Sequence, residues 1–99
     1  RMFARDRVKF KYLGPAGLRN ELFRKGIDQD LLALVVDEIY TEHPPAKIIE
    51  ALMRKRGIEP RAEVVPKEKT RLINQLRRKG FSWGEMEALV TGLKTSSGK

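Results

Sequence analysis

A chain of 99 residues that is 40% hydrophobic and 34% charged is too apolar for a disordered tail and too charged for a membrane span, and its length fits one modest core. The absence of cysteine excludes disulfides, thiolate nucleophiles and most structural zinc sites, and fits a cytoplasmic protein. The net charge of +8 is uneven: residues 53–79 hold 10 basic and 3 acidic side chains, or +7, which points to an anionic partner.

The first helix is expected over about 1–12, stopped by Gly14-Pro15. The chain opens at Arg1, inside this helix, as a fragment of a longer protein would, and the opened end is expected to expose Phe3 and Phe10. Gly14-Pro15-Ala16-Gly17 lacks the Gly-Lys-Ser/Thr of a phosphate loop and reads as a turn. Next comes a helix ending in Arg24-Lys25, with Gly26 at the left-handed C′ position. Asp28 reads as the N-cap of a third helix, whose apolar stripe is Leu32, Val35, Val36 and Ile39. Glu42-His43-Pro44 is a linker. His43 is the single histidine, with no companion that would make a metal or catalytic site.

A fourth helix, about Pro45–Arg56, carries Ile48, Ile49, Leu52 and Met53 on one face and ends at Gly57. Ile58 to Lys69, with Pro60 and Pro66, reads as an inserted loop, locally extended at Glu63-Val64-Val65. The following helix ends in Arg77-Arg78-Lys79-Gly80. Ser82 and Glu85 form a capping box for the last helix, with Met86, Leu89, Val90 and Leu93 as its stripe and a polar tail beyond.

These elements repeat. Leu18-Arg19-Asn20-Glu21-Leu22 through Lys25-Gly26-Ile27 aligns with Leu72-Ile73-Asn74-Gln75-Leu76 through Lys79-Gly80-Phe81 at an offset of 54, and the downstream stripes align without a gap. Ile27 with Leu32, and Phe81 with Met86, occupy the places of a hydrophobic staple. The expected fold is therefore all-α: two tandem three-helix repeats in a right-handed or bundle-like array of short helices. The repeats span 1–41 and 42–95, the second with the inserted loop 58–69, and 96–99 is a flexible tail. Leu22 and Leu76 are expected to be equivalent buried positions.

No constellation supports catalysis, a cofactor or a metal. What remains is cationic: Arg54-Lys55-Arg56, then Arg71, then Arg77-Arg78-Lys79, with Arg61, Lys67 and Lys69 between them. Such a stripe suits phosphates or carboxylates, although one cation per helix end would also answer the helix dipole. Trp83, at the start of the last helix, has two readings: packing against the preceding corner, or a stacking platform for a base.

Gly14-Pro15, Leu18-Arg19-Asn20-Glu21-Leu22, Lys25-Gly26-Ile27-Asp28 and Arg71-Leu72 through Leu76-Arg77-Arg78-Lys79-Gly80-Phe81-Ser82 together resemble the RecX family of RecA regulators, as does the opening Arg1-Met2-Phe3-Ala4. The resemblance covers nearly the whole chain, in order, and matches the middle and last of the family's usual three repeats. It implies tandem three-helix repeats lying in the groove of the RecA filament on single-stranded DNA, inhibition of recombinase, ATPase and coprotease activities, a place in DNA repair, recombination and the SOS response, and a monomer when full length. The alternative reading of the same basic stripe is a sequence-independent DNA-binding helical module, with direct weak DNA binding.

Overall fold

The structure, a computed structural model, describes Arg5, Val8 and residues 11–95. Arg5, Val8 and Lys11 are helical. Tyr12, expected at the end of this helix, is not helical and has a φ of +56°. The other residues of the first expected helix, including Phe3 and Phe10, and the tail 96–99 lie outside the described residues. Five helices follow: α1 (Pro15–Arg24), α2 (Gln29–Glu42), α3 (Pro45–Lys55), α4 (Pro66–Arg78) and α5 (Trp83–Thr91). Two-residue strands β1 (Glu63–Val64) and β2 (Lys94–Thr95) form a parallel pair, Glu63 opposite Lys94 and Val64 opposite Thr95. Helices joined by short connections make up the remainder of the described residues.

Proline opens three of the helices, at Pro15, Pro45 and Pro66, where its missing N–H is no loss and its fixed φ already suits the first turn. This corrects two expectations. Gly14 is the N-cap of α1, and Pro15-Ala16-Gly17 is its first turn rather than a separate turn. Residues 66–69 belong to α4, so only the part of the segment 58–69 before Pro66 lies outside a helix. Thr95, the last residue of the expected second repeat, is the second residue of β2.

The two corners are built as their sequences require. Gly26 and Gly80 have φ of +82° and +98°, values that favour glycine. Asp28 accepts a hydrogen bond from the Asp30 amide at 3.1 Å. Ser82 Oγ accepts from the Glu85 amide at 3.3 Å, while Glu85 Oε1 accepts from the Ser82 amide at 2.8 Å, completing the capping box.

Burial follows the repeat. Leu18 and Leu72 are both buried, as are Leu22 and Leu76, Leu32 and Met86, and Ile39 and Leu93. Helix α1 packs on α2, and both α3 and α4 pack on α5. Among the described residues no helix is long and apolar enough to cross a membrane.

The junction between the repeats is made largely of backbone. The Gly14 amide donates to the Lys79 carbonyl at 2.7 Å, and the Ala16 amide donates to the Gly80 carbonyl at 3.2 Å. Amides at the start of α1, which have no partner within their own helix, thus meet carbonyls at the end of α4. Only glycine permits this approach. A Cβ on Gly80 would lie 2.1 Å from the Gly17 nitrogen, one on Gly17 2.3 Å from the Lys79 oxygen, and one on Gly14 2.6 Å from the Gly80 carbonyl carbon. Side chains reinforce the region. Tyr40 Oη donates to the Leu13 carbonyl at 2.7 Å, and Lys55 Nζ lies 5.3 Å from the Tyr12 ring centre. Arg5 makes a bidentate pair with Glu42, both contacts at 3.2 Å.

Candidate anion-binding face

Helix α4 has one apolar and one cationic side because of its spacing. Leu72 and Leu76, one turn apart, are fully buried. On the opposite side, Lys67, Arg71, Asn74 and Arg78 follow each other at i, i+4, i+7 and i+11, and all four are exposed. Glu68 is the only acidic residue in the helix.

Arg56, just past the end of α3, closes the site from the side. Its Nη1 donates to Gln75 Oε1 at 2.7 Å and its Nη2 donates to the Glu68 carboxylate. That hydrogen bond lowers the Glu68 pKa, with the charges of Arg56 and Arg71 acting the same way and partial desolvation opposing them. Glu68 therefore stays ionised, and Arg56 is held with its guanidinium beside α4. Arg56, Arg71, Asn74, Gln75 and Arg78 line one open cleft.

Of the seven cations singled out from sequence, the structure brings Arg56, Arg71 and Arg78 together. Lys55 points elsewhere, over Tyr12. Arg54 and Arg77 are exposed but do not line the cleft. Lys79 is half-buried, with its carbonyl engaged by Gly14. The carboxamides of Asn74 and Gln75 were not singled out in the sequence. Their spacing between Arg71 and Arg78 was the available signal, since i+3 and i+4 share a face with i and i+7.

Two other residues of interest do not line this cleft. His43 is exposed at the end of α2, beside a groove lined by Val8, Tyr12, Lys47, Ile48 and Ala51. Trp83 opens α5 and is 42% exposed.

A small array of three-helix units with a preformed cluster of guanidinium groups belongs to the class of helical-repeat proteins. Residues 1–35 match the family model described as RecX, second three-helix domain. That stretch, about a third of the chain, is thus similar to a RecX domain. Comparisons with curated proteins and with solved structures give no match.

Proposed function

We propose that this chain binds the RecA filament on single-stranded DNA and inhibits its recombinase, ATPase and coprotease activities, acting in the cytoplasm in control of recombination and the SOS response. The observation that carries this reading is the match of residues 1–35 to the second RecX domain. The cationic cluster of the second unit supports it by supplying a face for an anionic partner. On this reading 1–41 and 42–95 act as one binding surface, with Arg54, Lys55, Arg56, Arg71, Arg77, Arg78 and Lys79 as its interface. The protein is a monomer when full length.

The test is the ATPase rate of RecA on single-stranded DNA, with increasing amounts of this chain. Wild type is expected to slow it. Replacing Arg77, Arg78 and Lys79 together by glutamine removes three charges that each contribute about 0.5–1 kcal/mol at an exposed contact. Inhibition should then weaken by roughly tenfold or more. A control change of Lys9 and Lys11 to glutamine, in the less basic half, should matter less. Equal inhibition by wild type and a folded triple variant removes these residues from the mechanism.

A further inference from the structure

The cationic side of α4 has no counterpart in the equivalent helix of the first unit. At the offset of 54, Arg71, Asn74, Gln75 and Arg78 correspond to Gly17, Asn20, Glu21 and Arg24. One arginine has become glycine and a neutral amide has become a carboxylate. The junction fixes Gly17 as glycine, but both helices keep the same buried leucines, and neither those leucines nor the junction calls for an exposed arginine at position 71. Helix-end compensation does not explain it either, because Arg71 lies mid-helix, away from the last turn, where the dipole acts.

The shape of the patch identifies its ligand. Lys67, Arg71, Asn74 and Arg78 form a straight line about 16 Å long at 1.5 Å per residue, with Arg56 fixed alongside. A single carboxylate would use one guanidinium. A line of separated cations with amide donors between them suits an extended polyanion with regularly spaced singly charged groups, as in a phosphodiester backbone. Five residues past Arg78, across the corner Lys79–Ser82, the Trp83 indole is 42% exposed. An accessible aromatic ring that follows the cationic helix so soon along the chain suits an unpaired base rather than a stacked duplex.

We infer that the exposed side of α4 binds the phosphodiester backbone of a single nucleic-acid strand, with Trp83 as the stacking face at its end. This deepens the filament reading by naming the component that α4 touches, and it is testable without RecA.

The experiment is a titration of the whole chain with a fluorescein-labelled thymidine 20-mer over a series of salt concentrations, read by anisotropy and by quenching of the single tryptophan. Wild type should bind with a steep salt dependence and quench on saturation. R71Q/R78Q leaves the Arg56 clamp in place. It should weaken binding by roughly tenfold at low salt and flatten the log–log salt slope by about 1.4, since each phosphate no longer neutralised on a single strand removes about 0.7. The charge-matched R19Q/R24Q on α1 should do neither. Polyglutamate should compete poorly, and W83A should lose affinity while keeping the salt slope.

Unchanged oligonucleotide binding in R71Q/R78Q, equal loss in R19Q/R24Q, or equal competition by polyglutamate overturns the inference. A duplex bound as tightly as the strand, or saturation without quenching, overturns the assignment to an unpaired strand. RecA ATPase inhibition measured on the same variants keeps the two readings apart. Oligonucleotide binding that R71Q/R78Q leaves unchanged, beside intact inhibition by wild type, sinks this inference and leaves the filament reading standing. Inhibition absent in a wild type that still binds the strand does the opposite.

Discussion

Gly80 and Gly17 meet backbone to backbone, so closely that a Cβ on Gly80 would fall 2.1 Å from the Gly17 nitrogen. Gly26, the repeat-equivalent of Gly80, has a similar positive φ of +82° but open space where a Cβ would sit. The pair is thus a built-in control. Gly26→Ala should cost about 1 kcal/mol, from backbone conformation alone. Gly80→Ala adds the collision and should cost several times as much. Urea unfolding midpoints check this, and equal losses would show that the junction yields without penalty.

Leu22 and Leu76 are equivalent in sequence and both buried, at 5% and 0% exposure. Each change to alanine should destabilise by roughly 2–5 kcal/mol, with Leu76 at the upper end because its surroundings leave no solvent path to fill the cavity. Thermal or denaturant unfolding followed by circular dichroism measures both.

Tyr40 is held by its bond to the Leu13 carbonyl, and burial together with the nearby Glu85 charge raises its pKa well above the usual tyrosine value. Tyr40→Phe should cost about 1–2 kcal/mol near neutrality by leaving that carbonyl short of a donor. A raised folded pKa means the stabilisation is complete below the unfolded value of about 10 and is lost as pH rises above it. The difference between wild type and Tyr40→Phe should therefore shrink in alkaline solution, in unfolding curves collected from about pH 8 upward.

For Glu68 the sign is reversed. Its folded pKa is lowered, so its contribution is present above the ordinary carboxylate pKa and is lost as pH falls through the folded value. In Arg56→Gln the largest cause is gone. The Glu68 carboxyl resonance should then titrate at higher pH than in wild type, as followed by carbon-detected NMR. An unmoved titration would mean that Arg56 does not hold this carboxylate.

Much of the fold was legible because it is locally encoded. The glycine corners, the Asp28 and Ser82 caps and the four-residue apolar stripes each depend on residues within a turn or two of one another. The junction was not legible, since Gly14 and Gly17 meet Gly80 from far away along the chain and a turn-like Gly-Pro-Ala-Gly says nothing about what approaches it. The extended stretch at Glu63-Val64 was legible, but its pairing with Lys94-Thr95 was hidden for a related reason. The two segments lie far apart along the chain, and two residues are too few to show alternation. At the site, sequence marked the charge but not its direction. Lys55 and Arg56 are neighbours on the chain, yet one lies over Tyr12 and the other reaches α4.

Arg56 reaches Gln75 and Glu68 with two different nitrogens of one planar group. A lysine has a single nitrogen on a flexible stem and cannot occupy both positions in that fixed geometry. Arg71 and Arg78 carry no such double duty in the cleft, and there a lysine would supply the same charge. Selection should therefore act on shape at position 56 and on charge at positions 71 and 78. Among descendants of this sequence, arginine would persist at the first position while lysine and arginine exchange freely at the other two.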